Sequence, residues 1–566
     1  MEVSGRRLLR RNGLDPQVTG RSRLPELERS LRSAGDALAP NGLRGRSLAR
    51  IVAAIVVSLG TLLIFAFNEH APYDVVAGPV VRVVAGLVPL LAAGTAGWAV
   101  LRPRSGFMAI LLLTPVVNVA QLHLDIGSLQ VIAQTVFVVA LAIGLLLRDG
   151  DWRLGLAAVE SGLHRLPSAL GRRARPSLLA VAAGSMVAML SLATLSTLLS
   201  PDVGSSASVL LHGILEPAAM AAALLAIRPT RRDLVFIAIV FSVSVGLGGL
   251  LNMAQTIPAM GSLSAIQANR LLIARVTYFN VGLFGEMLAM ALPLLLVVLL
   301  AQRRHLINLR RAAVMLLVAA LLIDLASLVL TFSKSAYLAS FGGCLVLLLL
   351  VVQGWRRRAS IVLAVSLLSA VLIPWPAFFL QVAPPLEQAY RSAMVRLMGE
   401  SRYDSWNPST LSGQGSLLER WYATQAGIEM AIDHPLLGIG LDQFKGQYLG
   451  HYRPPQAKDD LDWAHSMFAE VAAELGLPAL LLDLIIYAAA AIAMWRVYRG
   501  PPDPLARLLA GAYLAVLVAW QLVGLAFAGD MYRWWRNMSS DYVMMMVLMA
   551  AAFSLYWQTR PATSSK

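Results

Sequence analysis

Five side chains that could bind an anion or move a proton stand close to the ends of long apolar runs. Arg270 and Arg275 come just before one run, and Lys334 lies in a short polar break between two others. Arg420 and His465 belong to the longest polar stretch in the C-terminal half. Guanidinium and ammonium groups hold phosphate or pyrophosphate through charge-assisted hydrogen bonds, and a histidine can accept a proton from an attacking hydroxyl. These residue types therefore indicate phosphate chemistry coupled to proton transfer.

Each of these residues also has an interpretation without chemistry. A cation at the edge of an apolar run can extend its charged group to lipid headgroups, and this alternative stays open for all four basic residues. His465 follows Trp463 at a distance typical of an interfacial anchor pair. From this residue alone, the interfacial interpretation of the histidine is favoured.

Three acidic residues fall within or close to apolar runs: Glu216, Glu286 and Asp324. Acids at such depth are candidates for proton transfer, and they can also pair with an interior arginine. The chain has no HExxH motif, no Walker loop and no glycine-rich nucleotide fingerprint, which disfavours a zinc protease and a nucleotide-driven pump. The single cysteine, Cys344, allows neither a disulfide within the chain nor a cysteine metal site.

The apolar runs must position these side chains. Of the 566 residues, 57% are apolar and only 14% are charged, with a mean hydropathy of +0.66, whereas soluble proteins carry about 25% charged residues. A helix of about 20 apolar residues crosses the roughly 30 Å hydrocarbon core of a bilayer. We therefore predict an all-α integral membrane protein, a polytopic bundle of about fourteen transmembrane helices. The predicted spans lie near 51–67, 80–101, 106–122, 129–147, 177–199, 207–227, 234–252, 279–301, 312–331, 336–353, 359–380, 477–495, 506–528 and 541–557.

The charge pattern predicts the orientation. The net charge of +15 comes from basic clusters between the apolar runs and not from one continuous basic face, which argues against nucleic acid. If every span crosses, all these clusters fall on one side, which the positive-inside rule makes the cytoplasm. The predicted order is a basic cytoplasmic tail, eleven spans, a large outer loop, three spans and a second cytoplasmic tail: 1–50, 51–380, 381–476, 477–557 and 558–566. No cleavable signal peptide is expected, because the first apolar run begins only near Ile51.

The outer loop carries signals for two helices. Ser416 and Glu419 have the spacing of a capping box and predict a helix from there through Ile432. Proline and glycines within 433–440 predict a break after that helix. A second, amphipathic helix is predicted over Trp463–Leu475, where the loop returns to the membrane.

Four stretches resemble the O-antigen ligase and polymerase family. The stretch from Glu429 to Phe444 reads EMAIDHPLLGIGLDQF after an arginine at 420, and the stretch 464–477 reads AHSMFAEVAAELGL. Upstream, 331–336 (TFSKSA) is similar to the S-R-G/S hairpin of the family, and 275–285 (RVTYFNVGLFG) is similar to its span entry. The resemblance extends over roughly 270–490, with Lys334 in place of an arginine and Ser466 in place of an asparagine.

The resemblance implies a helical glycosyltransferase of the type that uses lipid-linked donors, without a metal or another cofactor. Such an enzyme transfers a glycan from a polyprenyl-pyrophosphate carrier to the hydroxyl of a glycolipid or polysaccharide acceptor, at the outer face of the bacterial inner membrane. It implies that His465 is the base or the acceptor-positioning group. It also implies that Arg275, Arg420 and, by replacement, Lys334 bind the pyrophosphate, with Arg270 beside them. Fixed cations stabilise the negative charge that develops on a departing pyrophosphate.

Other functions stay open. A ligase and a polymerase of this family share the motifs and differ only in the acceptor. A transporter or flippase for a lipid-linked glycan would depend on Glu286 or Asp324. A glycosyltransferase of the rod-shape and division type would depend on a loop aspartate such as Asp404 and not on His465.

Overall fold

The computed structural model describes most of the chain. Its two longest gaps fall in the N-terminal tail and around the start of the predicted outer loop. The described residues are 40–66, 79–119, 123–126, 129–149, 177–260, 281–331, 333–352, 414–500, 503–525 and 540–559, with isolated positions between 354 and 396. The contacts divide the chain into two units, Met1–Val52 and Ala53–Lys566. The second unit contains every element discussed below except the start of the first helix.

The described part is helical apart from one hairpin. Before the outer loop the elements are α1 (Pro40–Ala66), α2 (Pro79–Leu101), α3 (Pro103–Val119), β1 (His123–Ile126), β2 (Leu129–Ile132), α4 (Ala133–Asp149), α5 (Leu178–Leu198), α6 (Val203–Val209), a π-helical turn (Leu210–Leu215), α7 (Glu216–Ile227), α8 (Arg231–Met260), α9 (Val281–Arg303), α10 (Arg311–Thr331) and α11 (Lys334–Val351). From the loop onwards they are α12 (Gln414–Asp433), α13 (Phe444–Gln447), a second π-helical turn (Tyr448–Tyr452), α14 (Met467–Leu475), α15 (Leu477–Arg499), α16 (Pro504–Leu525) and α17 (Ser540–Thr559).

Many of these helices have the length and composition of membrane spans. Within the described residues, nine are long and apolar enough to cross a bilayer, and four more apolar helices are shorter. Every predicted span other than 359–380, of which only Ser360 is described, overlaps a helix. The multi-pass helical prediction is therefore confirmed, whereas the total of about fourteen spans stays a prediction.

The hairpin corrects the sequence analysis. β1 and β2 pair antiparallel, with Asp125 opposite Gln130 and Ile126 opposite Leu129, so the helix of the span predicted near 129–147 begins only at Ala133. The signal was present in the sequence, because Gly127 and Ser128 separate two short runs in which apolar residues alternate with polar ones.

The predicted span 207–227 is not one regular helix. The π-helical turn interrupts it, and His212 and Glu216 are both buried there, with the histidine Nδ1 atom 3.0 Å from Oε1 of the glutamate. Thr135 on α4 donates a hydrogen bond to the same carboxylate oxygen. This predicted intramembrane acid is therefore held between two helices by polar partners. The other two acids, Glu286 on α9 and Asp324 on α10, are also buried.

Small residues bring α11 and α16 into close antiparallel contact. A Cβ atom on Gly343 would lie 3.0 Å from the carbonyl oxygen of Ala515, and a Cβ on Gly511 would approach Leu347 at 3.8 Å. Residue numbers therefore rise along α11 as they fall along α16. Small side chains allow such close approach of helices in a membrane. As a result, the start of α11, where Lys334 lies, is at the same end of the bundle as the end of α16.

Candidate active site in the outer loop

The described outer loop is built on the contact between α12 and α14. Ala423, Ala426 and Met430 recur at helical spacing along one face of α12 and pack against the alanines of α14. Gly427 permits the closest approach, because a Cβ there would lie 2.9 Å from the Cβ of Ala464. The small residues of α12 thus bring its surface directly against the segment that precedes His465.

The predicted capping box does not form. α12 begins at Gln414, so Ser416 is inside the helix and not at its N-cap. The buried carboxylate of Glu419 instead accepts hydrogen bonds from the backbone N–H groups of Lys458 and Asp459, each at 3.0 Å. These two N–H groups belong to a segment without regular structure, and a carboxylate can satisfy both at once. Glu419 therefore holds the segment that leads towards His465.

The DHPLLGIG turn closes over the C-terminal end of α14. The N–H of Ile439 donates to the carbonyl of Ala473 at 2.8 Å, and the N–H of Gly440 donates to the carbonyl of Glu474 at 3.2 Å. The last carbonyl groups of a helix have no partner within the helix. The family-like motif supplies these partners, and it thereby fixes the end of α14 against the loop.

Two glycines make this closure sterically feasible. Gly438 has a φ of +65° and Gly476 a φ of +86°, values in the left-handed region that favours glycine. A Cβ on Gly438 would lie 2.4 Å from the carbonyl oxygen of Glu474, and a Cβ on Gly476 would lie 2.5 Å from that of Leu436. The motif therefore needs glycine at both positions for backbone-to-backbone contact.

A serine near the C-terminal end of α5 and a serine within α6 connect this turn to the helical bundle. The Ser196 hydroxyl lies within hydrogen-bonding distance of the carbonyl oxygens of Leu437 (3.1 Å) and Glu474 (3.2 Å). The Ser206 hydroxyl donates to the carbonyl oxygen of Leu441 at 2.6 Å. Hydroxyl groups that satisfy buried carbonyls stabilise a packed loop. The turn is therefore anchored to the bundle as well as to α14.

His465 is held in an unusual backbone conformation by its neighbours. Its φ is +54°, and the residue is only 6% exposed. The preceding residue, Ala464, is fixed on both sides, because its N–H donates to the Glu470 carboxylate and its carbonyl accepts from Thr424 Oγ1 at 2.7 Å. The indole N–H of Trp463 donates to Nδ1 of His465 at 2.8 Å, with the two ring centroids 4.7 Å apart.

This conformation corrects the predicted start of the second loop helix. α14 begins at Met467, not at Trp463, because a left-handed residue at 465 cannot belong to a right-handed helix. The side chain of Glu470 binds the N–H of Ala464 instead of leaving that group to a helical turn. The segment Trp463–Ser466 is therefore a shaped loop that presents the histidine.

The structure connects three of the five predicted site residues, Lys334, Arg420 and His465, through contacts of their neighbours. Arg420 is half-buried and lies one turn before Thr424, whose hydroxyl contacts both the Arg420 carbonyl (2.9 Å) and the Ala464 carbonyl. Lys334 is the first residue of α11, at the end of the bundle where α16 finishes. There a Cβ on Gly524 would lie 3.1 Å from the Cβ of Met467, two residues after the histidine.

The remaining sequence candidates fall elsewhere. Arg270, Arg275 and the alternative Asp404 lie outside the described residues. No group of three or more His, Cys, Asp or Glu side chains with the arrangement of a metal site occurs in the described part of the chain.

Two ion pairs and one phenolic hydrogen bond lie on the surface of the loop. Lys445 forms an ion pair with Asp462 at 2.9 Å, and Arg453 forms one with Asp460 at 2.6 Å. The hydroxyl of Tyr452 donates to Asp433 at 2.8 Å. Partial burial and this hydrogen bond both raise the pKa of the phenol. These contacts tie the segment 444–462 to itself and to α12.

Sequence reasoning missed the residues that hold His465 in place. Thr424, Glu470 and Trp463 act on the histidine or on the residue before it. One signal was available, since Thr424 follows Arg420 by a single helical turn and so shares its face.

The comparison with known families agrees with this geometry. Residues 317–482 match the O-antigen ligase family, a segment that includes most of α10, all of α11, the described loop with His465 and the start of α15. No curated protein matches the chain. The resemblance inferred from the loop motifs is thus confirmed over this segment.

Proposed function

We propose that this protein is a ligase that transfers a glycan from a polyprenyl-pyrophosphate carrier to an acceptor hydroxyl at the outer face of the bacterial inner membrane. The observation that carries the proposal is the clamped loop at the end of the bundle. There Thr424 joins the turn of Arg420 to the segment of His465. The match to the O-antigen ligase family supports the same reaction type.

The proposed reaction is a displacement at the anomeric carbon of the donor. The acceptor oxygen forms a bond to this carbon, and the bond between the carbon and the pyrophosphate oxygen breaks with its electron pair left on the pyrophosphate. The acceptor hydroxyl gives up its proton as the new bond forms, and water carries this proton to the departing pyrophosphate. Arg420, Lys334, Arg270 and Arg275 would hold the pyrophosphate and stabilise the charge that it gains.

His465 is the proposed catalytic residue. The Nδ1 atom already accepts the indole N–H of Trp463, so the ring would contact the reacting groups through Nε2. A group so fixed can orient a hydroxyl or a phosphate without a further loss of side-chain entropy. In this proposal catalysis needs no metal.

The proposed topology follows the charge pattern. About fourteen spans place both termini in the cytoplasm, with basic tails at 1–50 and 558–566. The spans are proposed at 51–380 and 477–557, and the loop 381–476 faces the outer side. Donor and acceptor would meet at that face, close to the lipid headgroups.

The experiment measures transfer of a labelled glycan by the purified protein in the presence of EDTA. His465→Ala is compared with His451→Ala, a matched control because His451 is an exposed histidine of the same loop. We expect transfer by the wild type and by His451→Ala, and a rate about 100-fold lower for His465→Ala. Equal rates for the two variants would refute the role of His465, and EDTA-sensitive transfer would refute the metal-free mechanism.

A lipid-linked glycan transporter is the second candidate, because Asp324 is buried in α10 and its carboxylate has no hydrogen-bond partner among the described residues. A transporter would lose glycan movement on Asp324→Asn and keep it on His465→Ala. A polymerase of the same family is distinguished by its acceptor, which is a growing polysaccharide. Offering both acceptor types to the purified protein separates ligase from polymerase.

A further inference from the structure

We propose that Trp463 keeps His465 neutral with its proton on Nε2, so that this histidine donates a hydrogen bond to the donor pyrophosphate and does not act as a base. The proposal deepens the function proposed above and rests on it. It assigns Trp463 as a positioning residue, which acts through the histidine.

The hydrogen-bonding capacity of the two rings carries the argument. The indole nitrogen of Trp463 is a donor only, and it lies 2.8 Å from Nδ1 of His465. Nδ1 must therefore offer a lone pair, and the proton of the neutral imidazole lies on Nε2. A doubly protonated ring would point a second N–H at the indole N–H, so two donors would face each other.

The surroundings of the His465 ring prevent it from rotating out of this hydrogen bond. His465 is almost fully buried and its ring lies against the indole, with the centroids 4.7 Å apart. A half-turn of the ring would replace Nδ1 by a carbon and would break the bond to the indole. The backbone cannot compensate, because Thr424 and Glu470 fix Ala464 from two helices.

The charges near this segment fit a donor role. Arg420 lies on the turn of α12 that contacts the same segment through Thr424. An N–H at Nε2 would add a neutral donor to the cationic groups proposed for the pyrophosphate. A neutral histidine that acts as an electrophile has a precedent in triosephosphate isomerase.

The proton of the acceptor then needs another destination. As the acceptor oxygen bonds to the anomeric carbon, the carbon–oxygen bond to the pyrophosphate breaks and its electron pair stays on that oxygen. The hydroxyl proton passes to water on the side of the acceptor, and water carries it to the departing pyrophosphate. No proton is added to His465, and its Nε2–H remains in place throughout the step.

Three substitutions at one position distinguish donor from base. The amide nitrogen of His465→Gln lies close to the place of Nε2 and can donate, but it cannot accept a proton; His465→Asn is too short, and His465→Ala has no donor. We expect His465→Gln to keep transfer within about 10-fold of wild type, while His465→Ala and His465→Asn lose about 100-fold. Equal loss in all three variants would overturn the donor role.

Nitrogen NMR of the histidine-labelled protein reads the tautomer without substrate. Comparison with His465→Gln identifies the His465 signals in the wild type. We expect an unprotonated Nδ1 and a protonated Nε2, and in Trp463→Phe a shift of the Nδ1 signal with the ring contact retained. A protonated Nδ1 in the wild type would overturn the proposal. Absence of transfer by the wild type would instead refute the proposed function, so the two failures are distinguishable.

A second inference concerns the outward face of α12. Trp421, Ile428 and Ile432 lie on one side of this helix, opposite the face packed on α14. Their exposures are 39%, 47% and 68%. We infer that this face lies in the outer leaflet of the membrane, because such a stripe with a tryptophan at one end is typical of interfacial helices.

The apolar face of α12 continues onto the surface of a membrane span, and this continuity indicates that lipid covers the face. The stripe continues at Leu436, which is 72% exposed, in the turn where Leu477 N–H donates to the carbonyl of Pro435 at 2.8 Å. Leu477 and Leu481 begin the outward face of the span α15 and are 48% and 59% exposed. One apolar surface thus runs from the span onto the loop helix, where water contact would be unfavourable.

Spin labels test this placement in vesicles of phosphatidylethanolamine and phosphatidylglycerol. In a Cys344→Ala background, a nitroxide is placed at Ile432→Cys or, as a control, at the exposed loop position Gln456→Cys. We expect the label at 432 to have a high collision rate with oxygen, which dissolves in lipid, and a low collision rate with a water-soluble nickel chelate. The label at 456 should have a high collision rate with the chelate and a lower one with oxygen. Access of the chelate to position 432 would overturn the inference, as would shielding from both reagents, which a second protein copy would produce.

Discussion

Replacing Gly438 by alanine tests whether the DHPLLGIG turn must rest directly on the backbone of α14. The added Cβ would lie 2.3 Å from the carbonyl carbon of Glu474 and 2.5 Å from the carbonyl oxygen of Ala473. Both are backbone atoms, so no change of rotamer relieves the overlap. The alanine must also adopt the φ of +65° that the glycine has.

The structure gives the size of the effect. A left-handed conformation costs a residue with a Cβ about 1–2 kcal/mol. Moving the turn away breaks the hydrogen bonds from Ile439 to Ala473 and from Gly440 to Glu474, each with a net value of about 0.5–1.5 kcal/mol. The closed turn is therefore destabilised by about 2–5 kcal/mol, which is roughly a 30- to 4,000-fold change in its opening equilibrium.

Hydrogen exchange followed by mass spectrometry measures that equilibrium, because amides exchange through local opening. The peptide that contains 435–443 should exchange faster in Gly438→Ala by this factor. Gly446→Ala is the matched control in the same loop, because a Cβ at Gly446 meets nothing within 4 Å. It should exchange like the wild type.

The reasoning would be refuted by one clear outcome. If Gly438→Ala and Gly446→Ala exchanged at the same rate over 435–443, backbone contact with α14 would not hold the turn closed. A general loss of folding would instead accelerate exchange in α16 as well.

Three further substitutions follow from the contacts of the loop. Thr424→Val should lower transfer about 5- to 10-fold without altering membrane insertion, because one hydrogen bond to the segment of the histidine is lost; a transfer assay on equal amounts of inserted protein checks this. Glu419→Ala should speed tryptic cleavage after Lys458, whose N–H loses its acceptor, and an unchanged cleavage rate would contradict it. Burial and the hydrogen bond to Asp433 raise the pKa of Tyr452. The hydrogen bond of Tyr452 to Asp433 therefore stabilises the folded state fully below about pH 10. This stabilisation is lost as the pH rises through the raised pKa of Tyr452. Tyr452→Phe should flatten that alkaline decline in thermal unfolding.

The membrane-spanning helices could be predicted because their physics is local. A run of about 20 apolar residues is sufficient to indicate a span, and the observed bounds of α10 (Arg311–Thr331) differ from the predicted 312–331 by a single residue. The contact of Glu216, next to the π-helical turn at Leu210–Leu215, with Thr135 on another helix could not be predicted. No periodicity within one helix records such a partner.

In the loop, too, features that depend on neighbouring residues could be predicted, and contacts between residues distant in sequence could not. The glycines at 438 and 440 indicated a turn, and a turn is present. The spacing of Ser416 and Glu419 indicated a capping box, yet the carboxylate binds the N–H groups of Lys458 and Asp459. Those partners are far away in sequence and become neighbours only after folding. The motif thus identified the family, whereas the hydrogen bonds around the histidine required the structure.

The measurement that tests the central claim most directly uses the purified protein in vesicles, with a glycan labelled on a polyprenyl-pyrophosphate donor and an acceptor lipid on the outer side. Both products are followed together: glycan joined to the acceptor and polyprenyl pyrophosphate released. A ligase should release one polyprenyl pyrophosphate for each glycan transferred, and His465→Ala should stop both. If the labelled donor instead crossed the bilayer intact, with no polyprenyl pyrophosphate released, the protein would be a transporter and the account of its outer loop as an active site would be contradicted.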